Sequence, residues 1–245
     1  CLRCYSEGMG LTLPVFWVAF IGMVLNIPLD IIFVYGYFGI PPMGGVGCGI
    51  ATSINVVIGV IVLVLVIIKK KEYRPTKIFS KFSLPNWDTT KEALKLGLPI
   101  GFGVFVELSM FSGAALILGS LGATVISGHT VAINIVSVLF ILPLSFGLAA
   151  ATRIGNLVGE KKLHQAKYAS NIAIFICFAG AILNMVIILI FRDNLVSLYS
   201  SDLAVATIAM NLLLFGAIFQ IPDGMQMGAL GSLRGYKDTF APMLM

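Results

Sequence analysis

Six apolar runs, each long enough to cross a bilayer, constrain this chain more than any motif in it. A helix rises 1.5 Å per residue, so roughly 20 apolar residues cover the hydrocarbon layer. The runs lie at about 12–35, 45–68, 95–118, 124–152, 168–191 and 203–230. The first reads TLPVFWVAFIGMVLNIPLDIIFVY, and the second stops at the charges of VLVIIKKK. Each run is continuously apolar, without the alternation of about ten residues per strand that a membrane barrel needs. Charged residues make up 11% of the chain and hydrophobic ones 58%, against about 25% charge in a soluble domain. The predicted fold class is all-α, a polytopic membrane helix bundle with six transmembrane helices.

The isoelectric point near 9.1 raises the question of nucleic acid, and the placement of the basic residues answers it. Arg3 precedes the first run, and Lys69, Lys70, Lys71, Arg74, Lys77, Lys81, Lys91 and Lys95 lie between the second and third. Arg153, Lys161, Lys162 and Lys167 separate the fourth from the fifth, and Arg234 and Lys237 follow the sixth. That places fifteen of the 16 basic residues on alternate connections, with Arg192 alone opposite. The positive-inside rule makes the basic side cytoplasmic, with both ends of the chain on it. The charge is a membrane-orientation signal, and no nucleic-acid partner is expected.

Leu-Arg-x-Tyr-x-acid occurs at Leu2–Glu7 and again at Leu233–Asp238, 231 residues apart. Six crossings return the second copy to the face of the first, as in a parallel repeat with a six-helix period. The alternative is that Arg and Tyr anchor helix ends at that interface anyway. The chain starts at Cys1 with no start methionine or leader, and reads as an excerpt of something longer. Residues 69–94 read as a basic cytoplasmic linker between two lobes, so that 1–68 belongs to one lobe and 95–245 to the next. Within it, NWDTTKEALKLGLP has the pattern of a short interfacial helix capped by Asn86 or Asp88, with Trp87 at the headgroup level. Cys1 and Cys4 form a C-x-x-C without a second pair, and incidental cysteines are the better reading.

Three acids fall inside runs: Asp30, Glu107 and Asp223. A carboxylate at the bilayer centre costs roughly 2.5–3.5 kcal/mol on insertion scales, and the runs hold no Lys or Arg to neutralise it. Glu107 lies 12 residues beyond Lys95, and Asp223 lies 11 before Arg234. Both are then about 17–18 Å from the cytoplasmic end. Two carboxylates at one depth on two helices can converge on a site that exchanges H⁺ or binds Na⁺, Na⁺ being the one metal ion expected at Glu107 and Asp223. Two separately hydrogen-bonded acids are the alternative. Asp30 lies about five residues from the outer end of its run, within reach of the interface or a vestibule.

Pro222 precedes Asp223 and removes an amide, which frees the Ile218 carbonyl beside a carboxylate. Pro99 and Pro143 bend two further helices, in service of a site or of packing alone. His129, Thr130 and Asn134 come from GHTVAIN early in the fourth run. Asn134 is a candidate for the cavity, while His129 fits the outer headgroup layer. Phenylalanines and methionines near the acids, Phe219 among them, offer the soft lining that suits bulky hydrophobic cations. The chain has no P-loop, no H-E-x-x-H and no Ser/His/Asp set, so no enzyme is expected and no cofactor beyond a coupling ion.

GGVGCGIAT, LKLGLPIGFGVFVELSMF, GHTVAIN, PLSFGLAAATRIGNLVGE and GSLRGYKDT occur in that order. Together they resemble the multidrug and toxic compound extrusion (MATE) family, especially its NorM-type bacterial members, over essentially the whole chain. The resemblance implies a twelve-helix, two-lobed transporter of the bacterial inner membrane, of which these are helices five to ten. The missing helices of the same polypeptide and membrane lipid would be its structural partners. It implies export of small organic cations such as drugs and dyes by secondary antiport, driven by Na⁺ or H⁺. The family's acids on helices seven and ten fall on Glu107 and Asp223. Phe219 stands where a tyrosine is often found, Thr130 where an amide often follows the histidine, and Asp30 where an asparagine is expected. The rival readings are a lipid-linked oligosaccharide flippase of the same superfamily, which needs basic residues in its cavity, and an ion channel, which needs a filter loop.

Overall fold

A computed structural model describes residues 2–37, 41–70, 72–73, 86–200 and 202–244. Cys1, Lys71, Arg74, Pro75, Lys77, Lys81 and Pro85 lie outside them, and with them most of the expected linker. Among the described residues, six helices are long and apolar enough to cross a membrane. The chain forms two compact units, Cys1–Leu84 and Pro85–Met245.

The first unit holds α1 (Leu2–Gly8), α2 (Thr12–Tyr35) and α3 (Gly45–Lys69). α2 and α3 pack as an antiparallel pair, and the first turn of α3 approaches the last turns of α2 at Gly47. A Cβ there would run into the Phe33 carbonyl, so only glycine permits the approach. At the basic end Leu63, Ile67 and Tyr73 form a small core with Tyr5, Val15 and Val18 against it.

The second unit holds α4 (Trp87–Gly119), α5 (Ala123–Gly159), α6 (Leu163–Ser197), α7 (Leu203–Gly235) and α8 (Phe240–Leu244). The Asn86 side chain caps α4 by accepting from the Asp88 amide at 3.2 Å. The stretch expected as a short interfacial helix is the unbroken start of α4, which passes through Pro99 without a stop. α4 therefore begins inside residues 69–94, the stretch read as linker.

α5, α6 and α7 pack against one another on all three sides. Val131, Ile135, Ile188, Leu213 and Ala217 fill the half near the uncharged loops. Ala150, Ile154, Leu157, Ala166 and Ala173 fill the basic half. With lipid as solvent, apolar burial adds little, so close backbone approach through small residues does the holding. Gly231 of α7 faces Gly147 of α5, where a Cβ would meet the Gly147 carbonyl. Pro143 lacks the amide that would bond the Leu139 carbonyl. Asn184 of α6 donates to that oxygen instead, Nδ2 to O 2.8 Å, while fully buried.

Three helix ends on the basic side share one turn. α1 closes through Gly10 (φ 76°), α5 through Lys161 (φ 60°) and α7 through Lys237 (φ 63°). Each has the paired bonds of a Schellman motif, such as Leu11 N–H to Ser6 O and Asp238 N–H to Leu233 O. The turn residues Gly10 and Lys237 are 227 positions apart, whereas the Leu-Arg-x-Tyr-x-acid copies are 231 apart. Because the same turn also occurs at Lys161, it marks helix ends generally and does not by itself trace the expected six-helix repeat.

Candidate functional site

The two acids of the second unit stand on helices of opposite character. Asp223 is half-buried on α7, in the tightly packed trio, directly after Pro222. Glu107 is exposed on α4, a helix with no buried residue. Among the described residues of the unit, the backbone of α4 comes close to those of α5 and α8 and not to those of α6 or α7. A tie at the basic end sets its height: Lys237 Nζ lies 2.9 Å from Glu92 Oε1. Fifteen residues of α4 separate Glu92 from Glu107, and fourteen separate Lys237 from Asp223. Both carboxylates are therefore about 20 Å above the tie.

The Glu107 carboxylate is within electrostatic reach of Asp223 and of Arg234 on α7. Arg234, expected at the cytoplasmic end of its run, lies in the last turn of α7, one residue before its end at Gly235, and is half-buried. Its Nε is buried without a hydrogen-bond partner among the described residues. The motif containing it marked a helix end and gave no sign that its side chain turns inward.

The other candidates are less converged. Phe219 lies one turn before Asp223 on α7 and is 58% exposed. Thr130 Oγ1 donates to the Ile126 carbonyl at 2.8 Å, and Asn134 Nδ2 to the Thr130 carbonyl at 2.8 Å. Both side chains are turned back onto α5. His129 beside them is half-buried. Asp30 belongs to the first unit, half-buried on α2, with Oδ1 buried and unpartnered among the described residues. Cys4, Cys48 and Cys177 are free thiols.

Glu107, Asp223 and Arg234 are ionisable side chains carried by α4 and α7, two helices of membrane-crossing length. The sequence profile of the MatE family matches residues 99–245, which include Glu107, Thr130, Asn134, Phe219, Asp223 and Arg234. The chain belongs to the MatE family. Among curated MatE relatives it is 40% identical over 240 residues to the multidrug resistance protein NorM of Vibrio vulnificus, covering 98% of this chain and 53% of that protein. It is 37% identical over 244 residues to the multidrug resistance protein PmpM of Pseudomonas aeruginosa, covering 100% of this chain and 51% of that one. The chain spans about half the length of these relatives. Its fold matches the crystal structure of the eukaryotic MATE transporter AtDTX14 with a TM-score of 0.88 at 23% identity, over 97% of this chain and 52% of that one. The expected all-helical membrane bundle is thereby borne out, and so is the resemblance. Asp30 lies outside the residues that the MatE profile matches.

Proposed function

We propose that the full-length protein is a secondary-active multidrug exporter of the bacterial inner membrane, expelling small organic cations in exchange for Na⁺ or H⁺. What supports this reading is that Glu107 and Asp223 are acids within membrane-crossing helices, α4 and α7, and lie within electrostatic reach of each other. Close like charges in a poorly solvated gap favour taking up a proton or a small cation. A cationic drug satisfies the same charges, so ion and drug compete for them. Coupling then requires that each bind the inward-open and outward-open states with different affinities. Phe219 and the neighbouring apolar side chains offer face contact and buried area to an aromatic cation.

Ethidium efflux from cells expressing the full-length protein tests this. Glu107→Gln and Asp223→Asn are each expected to abolish efflux while membrane expression stays unchanged, and normal efflux in both would defeat the assignment. Varying Na⁺ at fixed pH, then pH at fixed Na⁺, identifies the coupling ion. The flippase reading calls for a predominantly basic cavity. Here two acids face one base, Arg234, which favours a cationic cargo.

A further inference from the structure

A groove lies between α5 and α6, with no residue of α7 and none of the acids Glu107 and Asp223 in its lining. Its volume is about 460 Å³. α5 contributes Phe146, Ala149, Ala150 and Arg153, at the spacing that places them on one face of a helix. α6 contributes Tyr168, Ala169, Ile172 and Ala173 in the same way. The alanines leave the space between the helices open, and the larger side chains wall it.

Depth gives the groove its character. The apolar run of α5 ends near 152 and that of α6 begins near 168, so Arg153 and Tyr168 stand at the border of the hydrocarbon. Phe146 and Ile176, also in the lining, are seven and eight residues deeper, about 10–12 Å. The lining thus turns from basic and phenolic to wholly apolar at the depth where a phospholipid turns from headgroup to acyl chain. The α5–α6 hairpin carries Arg153, Lys161, Lys162 and Lys167 around the mouth, with Glu160 as its acid. Glu160 is already engaged, 2.7 Å from Lys162 Nζ. The hydrogen bond and the charge of Lys162 hold its carboxyl below the usual carboxylate range. Arg153 has no acidic partner within 4.0 Å among the described residues.

We propose that this groove binds an anionic phospholipid of the leaflet on the basic side, its phosphate at Arg153 and one acyl chain between Phe146 and Ile176. The surplus of positive charge selects a lipid of net negative charge over a zwitterionic one of the same chain length. The Tyr168 ring, 67% exposed, sits at the level of the ester groups, where phenolic side chains concentrate.

Native mass spectrometry of the purified full-length protein, with equimolar palmitoyl-oleoyl phosphatidylglycerol and phosphatidylcholine added in detergent, reads the preference directly. Wild type is expected to retain phosphatidylglycerol at least fivefold over phosphatidylcholine. Arg153→Gln, a change at an exposed position, is expected to bring the ratio close to one. Ala149→Leu, which fills the groove from an exposed position, is expected to reduce retention of both lipids. Equal retention by wild type, or an unchanged ratio in Arg153→Gln, would overturn the proposal. So would loss of thermal stability in Ala149→Leu with the retained amounts of both lipids unchanged, which would mean that another helix of the full chain fills the groove. Because lipid retention is measured without transport, its outcome is independent of the coupling assigned to Glu107 and Asp223.

Discussion

Asn184 and Pro143 show what a single polar side chain does in this bundle. Proline at 143 leaves the Leu139 carbonyl without its helical donor, and Asn184 supplies the replacement from a neighbouring helix at 2.8 Å. Asn184→Ala is expected to cost about 1–2 kcal/mol, the usual worth of such a bond plus the orphaned oxygen. Pairing it with Pro143→Ala returns an amide to Leu139 in cis, so the double variant should lose less than Asn184→Ala alone. Thermal unfolding of the full-length protein in detergent measures both. The two membrane acids were legible in the sequence because a buried carboxylate is costly wherever it points. Asn184 was not, because its partner is 45 residues away and the pairing exists only after α5 and α6 pack. The burial of the Arg234 Nε was not legible for a related reason: the sequence marks Arg234 as a helix end, as it is, while its burial depends on the rotation of α7.

At the scale of helices, hydropathy located all six spans but measured lipid thickness more faithfully than helix length. α5 was read as 124–152 and extends to Gly159; α6 was read as 168–191 and occupies Leu163–Ser197. Backbone hydrogen bonding continues into the headgroup layer after apolar side chains give out, so composition alone does not mark the helix end. The turns that do end the helices on the basic side place lysine in the left-handed region at 161 and 237. Lys161→Gly is expected to stabilise the full-length protein by up to about 1 kcal/mol, because glycine holds that conformation without strain. Gly231→Ala is expected to do the reverse, costing about 1–3 kcal/mol as α5 and α7 are forced apart at Gly147. Denaturation of the two variants side by side in one detergent checks the opposite signs.

For the molecule as a whole, the one-sided charge predicts which surface faces the cytoplasm. In a cysteine-free full-length background, Ser120→Cys, beside an uncharged loop, should react with an impermeant maleimide in intact spheroplasts. Lys161→Cys should react only after the membrane is opened. Labelling of Lys161→Cys in sealed spheroplasts would reverse the orientation.

The arrangement of α4 bears on how such a protein can change shape. One acid is mounted on a helix fixed by tight backbone contacts, the other on a helix that meets the rest of its unit through α5, α8 and the Glu92–Lys237 tie. α4 itself buries no side chain, so swinging it would expose none of its own residues from a core. Under the proposed coupling role of Glu107 and Asp223, an ion shared between them would draw α4 toward α7 without pulling any α4 side chain out of a core.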